Sequence, residues 1–183
     1  MTWYIILWGI GLLLIILMVK YNGMIKWRNI IKQSFADIDV QLKQRFDLIP
    51  NLLDSVKWYM KHEKEVLESL TQARTSFLNA ESSNEKISAD NMLSGALKSI
   101  FAVAESYPDL KANQNFLKLQ DELSDVENKI AAARRFFNNS VQEYNTYIQM
   151  FPNSIVAGIF NFKEEKLFTL ENTQERENVK ISF

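Results

Sequence analysis

The stretch DIDVQLKQRFDLIPNLL, residues 37–53, places Asp37, Asp39, Lys43, Arg45 and Asp47 within what otherwise reads as the apolar seam of a long helix. Two readings compete. The charges form either a cluster of carboxylates around a reactive arginine or a set of ions that hold packed helices in register. The choice depends on which side chains face inward. Counting in alternating steps of four and three from Ile31 gives Phe35, Ile38, Leu42, Arg45, Ile49, Leu52, Val56 and Tyr59. The same count continues through Glu63, Val66, Leu70, Ala73 and Phe77. Only Arg45 and Glu63 interrupt this apolar and aromatic series, and a repeat of this period marks helices packed side by side as in a coiled coil. Asp37, Lys43 and Asp47 fall off the seam and read as solvated face, with Asp39 at its border beside Ile38.

A second seam starts at Ala112 and runs through Phe116, Leu119, Leu123, Val126 and Ile130 to Ala133, Phe137, Ser140, Tyr144, Tyr147 and Phe151. Leu93, Leu97, Ile100, Ala104 and Tyr107 make a shorter one between them. The fold class is therefore all-α: an elongated up-and-down bundle of three to four long helices, covering residues 21–162. NAESSNEKIS, 79–88, reads as a helix connection. In SYPDLKAN, 106–113, Ser106 and Asp109 are spaced like a capping box. Pro152 stops the last long helix, and IVAGIFNF, 155–162, reads as a short apolar segment folded back on the bundle. Residues 163–183 read as a flexible tail with little to bury. Pro50 leaves two possibilities: a kink inside one continuous helix, or a new helix capped by Asp47 with the proline in its first turn.

A buried arginine without a carboxylate is too costly to keep, so Arg45 calls for a partner on another helix, Glu127 or Glu105. Glu63 similarly calls for Arg134 or Arg74. Arg45, Glu63, Glu105, Glu127 and Arg134 thus make a structural ion network whose role is register, because buried pairs add little net stability. No catalytic residue, cofactor site or metal site is assigned. With no cysteine and one histidine, thiolate chemistry and sites that need several imidazoles are out of reach. His62 and Glu63 are neighbours whose side chains diverge by about 100° on a helix, which does not suit a shared ion. A net charge of −1 and the lack of a glycine-rich phosphate loop give no reason to expect nucleic acid or nucleotide. The asparagines of RRFFNNSVQEYN, 134–145, read as bonding backbone or filling a packing defect.

Residues 2–19, TWYIILWGIGLLLIILMV, carry no charge. As a helix they rise roughly 27 Å, close to the hydrocarbon thickness of a bilayer. Residues 1–20 are accordingly read as a transmembrane anchor. Trp3, Tyr4 and Trp8 at one end, and Tyr21 and Trp27 at the other, suit the two interfacial belts. A cleaved signal peptide fits less well, since no basic leader and no small-residue cleavage site flank the run. Lys20, Lys26, Arg28 and Lys32 follow the span, so the positive-inside rule puts the N-terminus outside and the bundle in the cytoplasm.

IDVQLKQRFDLIPNLL, YMKHE, the arginine of TQAR, AESYPDLKAN with NFLKLQDEL, ENKIAAARRFFN and MFPNSIVAGIF together resemble the bacterial LemA family in order and spacing. The resemblance spans about Tyr21 to Phe162 and implies one N-terminal membrane helix with an outward N-terminus and a cytoplasmic helical bundle. Some relatives are associated with bacterial membrane organelles, which implies scaffolding or membrane shaping. The expected function is a non-enzymatic, single-pass scaffold of the cell membrane that contacts the lipid bilayer and assembles into a homo-oligomer. The alternative is a membrane-tethered adaptor that offers its C-terminal tail to a protein partner in the cytoplasm.

Overall fold

The computed structural model describes residues 2–168, which are mostly helical with no strand among them. The helices are α1 (Thr2–Asp47), α2 (Ile49–Val56), α3 (Lys64–Leu78), α4 (Ser83–Ala104), the single turn α5 (Pro108–Lys111), α6 (Gln114–Gln149) and α7 (Asn153–Ile159). The chain divides into two compact units. One holds the described residues up to Phe35 and from Ala133 onward, and the other is Ala36–Ala132.

In the Ala36–Ala132 unit, the seam of the first helix is buried as its period requires: Ile38, Leu42, Ile49, Leu52 and Val56 are all 0–1% exposed. The helix breaks ahead of Pro50, which sits in the first turn of a new helix, but the cap is not Asp47. The break falls at Leu48, whose N–H reaches back only three residues to the Arg45 carbonyl, at 3.3 Å. Leu48 keeps helical angles (φ −77°, ψ −20°) and is itself the N-cap, with no side-chain bond. The proline then falls in the first turn of α2, where an absent N–H costs least.

The real reversal comes later, at residues 57–63, between α2 and α3. The sequence period runs straight through this turn, so one long seam is two antiparallel ones. Phe46 and Phe77 fix the return: their rings stack with centroids 4.0 Å apart and 11° between planes. The connection expected over 79–88 is shorter than that. Ser82 and Glu85 form a capping box, Glu85 N–H donating to Ser82 Oγ at 3.3 Å while Glu85 Oε2 accepts from Ser82 N–H at 3.1 Å. Helix α4 therefore starts at Ser83. Conversely, Ser106 and Asp109 form no capping box. Tyr107 is the N-cap of α5 and makes no side-chain bond there. Asn113 opens α6 instead, its Oδ1 accepting from the N–H groups of Asn115 and Phe116.

In the other unit, α6 runs antiparallel to α1. Phe35 meets Phe137 edge-on at 5.9 Å, and Gly23 lies against Tyr147. Met24, at 0% exposure, is the first fully buried residue after the apolar span. The seam of α6 stays buried through Phe137, Ser140 and Tyr144, but Phe151, expected to continue it, lies past the helix end and is 81% exposed.

Helix α7 folds back, burying Asn153, Val156 and Ala157. It ends in a Schellman motif. Asn161 takes a left-handed conformation (φ 56°), and Phe162 N–H donates to the Ala157 carbonyl at 2.9 Å. That turn swings the chain back, so that Phe160 and Phe162 both pack on Tyr21, at 4.8 and 5.6 Å.

Candidate functional site

Arg45 is the inward ion of the opening stretch, and α1 presents it at a seam position, 4% exposed. Its Nη1 lies 2.6 Å from Asp90 Oδ1 and donates to Ser94 Oγ at 3.0 Å. Nη2 lies 2.5 Å from Glu127 Oε2. The two carboxylates differ in setting, since the Asp90 side chain is 2% exposed and that of Glu127 is 47% exposed. Nε of Arg45 is buried without a hydrogen-bond partner. A cavity of about 380 Å³ opens beside the group, its polar wall made by Ser94, Lys98, Gln120, Ser124 and Asn128. With both terminal nitrogens of Arg45 committed to carboxylates, the arrangement ties α1 to α4 and α6. It can act as a register pin between helices that are otherwise interchangeable.

The structure brings Arg45 and Glu127 together but not Glu105, which is exposed and pairs with Lys111 across the α4–α5 turn. Asp90 takes the inner place instead. The α4 seam, counted back from Leu93, lands on Asp90, so the signal was present in the spacing. Glu63 does not sit inside a helix. It is the N-cap residue of α3, and its Oε1 accepts from the Tyr107 hydroxyl at 3.4 Å. Desolvation, and after it the Glu63 carboxylate, push the Tyr107 hydroxyl pKa up, which keeps it a donor. Arg134 belongs to the other unit, where its guanidinium lies over the Phe168 ring at 4.8 Å. A further pair stands outside the expected network: Lys86 Nζ reaches Asp39 Oδ1 at 2.6 Å, joining α4 to α1. His62 is exposed.

The second site is made by the asparagines that were expected to bond backbone or fill a packing defect. Asn138 donates from Nδ2 to the Phe168 carbonyl at 3.0 Å and accepts from Phe168 N–H at 2.7 Å. Two turns along α6, Asn145 does the same to Glu165, at 2.9 Å for both bonds. Between them Tyr144 donates to the Lys163 carbonyl at 3.0 Å, and burial pushes its hydroxyl pKa up. The Gln149 amide reaches Glu164 Oε1 at 2.7 Å. Residues 163–168, expected to begin a flexible tail, are thus strapped along α6 by their main chain. The remainder of that tail, 169–183, lies outside the described residues.

The third feature is the apolar span. It is a single helix with a mean hydropathy of 2.2 over its best window, none of which is buried within the protein. Trp3, Tyr4 and Trp8 are 77%, 74% and 83% exposed. Lys20, Tyr21 and Trp27 are half-buried, while Lys26 and Arg28 are exposed. The Arg28 guanidinium lies over the Phe162 ring at 5.7 Å.

Residues 34–183 match the sequence profile of the LemA family. The chain belongs to the LemA family. It is 30% identical to Protein LemA of Metamycoplasma hominis over 152 residues, which cover 81% of this chain and 68% of that protein. It is also similar to Magnetosome protein MamQ of Magnetospirillum gryphiswaldense, 32% identical over 82 residues, or 45% of this chain. Magnetosome protein MamQ 2 of Paramagnetospirillum magneticum is 29% identical over a stretch of the same length. The matches take in 30% of each MamQ protein. The family match starts at Ser34, so within this LemA-family chain it takes in the Arg45 group and the asparagine strap and leaves the apolar span outside.

Proposed function

We propose that this chain is a non-enzymatic, single-pass membrane protein whose helical part is a scaffold on the cytoplasmic side. In that role it assembles with copies of itself and organises the membrane. One observation carries the reading. Helix α1 runs without interruption from a fully uncovered apolar window into a packed unit whose first buried residue is Met24. A span joined to its cargo by continuous helix transmits position and orientation, which a flexible tether would not. Lys20, Lys26, Arg28 and Lys32 supply the basic flank that retains the following residues in the cytoplasm. The magnetosome proteins among the relatives support a role in organising a membrane compartment.

Two measurements on the full chain test this. Reporters fused to either end should place the N-terminus outside and the C-terminus inside. Light scattering after extraction in mild detergent should give an oligomer, and a monomer at all concentrations would overturn self-assembly. A second reading, the tethered adaptor, is favoured by the strap at 163–168, which gives the tail a fixed exit along α6. Deleting residues 170–183 would then abolish capture of a cytoplasmic partner while leaving helicity intact.

A further inference from the structure

The α7 region leaves an apolar surface uncovered, and its height along α1 says what covers it. In the unit that contains both, the contact of Phe35 with Phe137 and that of Gly23 with Tyr147 set the antiparallel register. Moving from the first contact to the second goes twelve residues back along α1 and ten forward along α6. Continued at that rate, the end of α6 at Gln149 and the Met150–Pro152 turn come level with the last turn of the apolar span. The return of the chain agrees, because Phe160 touches Tyr21, two residues beyond that span.

At this height several large apolar side chains are exposed: Met150 56%, Phe151 81%, Ile155 54%, Ile159 66% and Phe160 50%. Ile155 and Ile159 are one turn apart and share a face of α7, while Val156 and Ala157 face inward. Large apolar side chains exposed together at one end of a unit mark an interaction site on a protein in water. Lys20, at the end of the span, and Lys163, next to the Phe162 that packs on Tyr21, suit anionic headgroups.

We propose that Met150, Phe151 and the Ile155–Ile159 face of α7 form an interfacial foot. Its occupant is the bilayer itself, in the leaflet where the α1 span ends. The proposal rests on the reading of α1 as a membrane span. The foot lies in the boundary between headgroups and acyl chains, a layer that amphipathic segments enter by about 5–10 Å. With the span as the first attachment and the foot as the second, the unit cannot swivel about α1, so its rotational setting relative to the membrane is fixed.

The test uses the full chain, which contains no cysteine and so accepts single labels cleanly. Nitroxides are placed at Phe151→Cys, Ile155→Cys and Ile159→Cys, with Leu12→Cys as the span reference and Glu68→Cys as the water reference. The proteins are reconstituted in vesicles of phosphatidylcholine and phosphatidylglycerol, and collisional access to oxygen and to an aqueous nickel chelate is measured. The foot requires oxygen-to-nickel ratios at 151, 155 and 159 several-fold above that at 68 and below that at 12. Ratios at all three equal to that at 68, with Leu12 deep in lipid, overturn the foot and leave the span intact. Leu12 in water overturns both. Spin–spin broadening at 159 without oxygen preference identifies a second copy as the cover and likewise overturns the proposal.

Discussion

Tyr147 puts its hydroxyl 2.3 Å from the point where a β-carbon on Gly23 would stand, with the ring carbon Cζ at 2.9 Å. Glycine at this position of α1 is a packing requirement of the α6 contact. Gly23→Ala should destabilise by about 1–3 kcal/mol, the usual range for overpacking. Tyr147→Leu in the same chain should restore most of that loss, which thermal denaturation would read. Gly95 is the control. It is exposed within α4 and has nothing within 4 Å of its β-position, so Gly95→Ala should stabilise by about 0.5–1 kcal/mol through backbone entropy alone.

The Arg45 group predicts a sign reversal. Arg45→Ala strips the guanidinium from a buried carboxylate and should cost about 3–5 kcal/mol in denaturant unfolding. Replacing both ends with apolar residues, Arg45→Met with Asp90→Leu, should recover that loss or exceed it. Glu127→Gln should cost far less, since that side chain is half exposed and its ion pair is screened. A double variant as unstable as Arg45→Ala would show that the ions do more than pin register.

The asparagine strap predicts local release without global loss. Asn138→Ala or Asn145→Ala removes two main-chain bonds each, at about 1 kcal/mol net per bond. Amide exchange of residues 163–168 should accelerate while that of α4 is unchanged. Asn138→Asp should release the strap less than alanine does, because a carboxylate cannot donate to the Phe168 carbonyl but still accepts from the Phe168 N–H. Protection unchanged in both variants would mean that the Arg134–Phe168 contact and Tyr144 hold the segment unaided.

The capping box gives the pH dependence. The Ser82 N–H, and after it the Glu81 N–H, hold the Glu85 carboxyl below the ordinary glutamate range. A group with a depressed folded pKa stabilises above its unfolded value and loses that contribution as pH falls through the folded one. The stability gap between the native chain and Glu85→Gln should therefore be present near neutral pH and close on acidification below the usual glutamate pKa. Ser82→Ala should cost about 1 kcal/mol through loss of the N-cap.

Asn161 predicts a conformational effect at the chain reversal after α7. Its φ of 56° suits asparagine or glycine, so Asn161→Gly should be neutral and Asn161→Val should cost about 1–2 kcal/mol. Loosening should appear first as weaker packing of Phe160 and Phe162 on Tyr21, visible as altered ring shifts in NMR spectra.

Much of this architecture was legible in the residues. The uncharged run, the buried seams and the inward position of Arg45 follow from periodicity, because a helix exposes one face per turn and the core accepts only apolar or paired groups. Glu63 shows where that reasoning stops. The period passes through it unbroken, yet the chain reverses there, since a turn of suitable length preserves the phase on either side. Pairing partners were legible only in part. Spacing says that Asp90 and Glu105 each lie on or beside a seam, but axial height decides which one meets Arg45, and height depends on loop lengths.

By itself, then, the order of residues determined the helices, their buried faces and the apolar run that α1 carries, because these depend on contacts within a few turns. Tertiary structure alone decided the reversal at 57–63, the choice of Asp90 over Glu105, and the seating of 163–168 on Asn138 and Asn145. Those outcomes join groups distant in the chain, and an amide that grips main chain leaves no imprint on the side chains it holds.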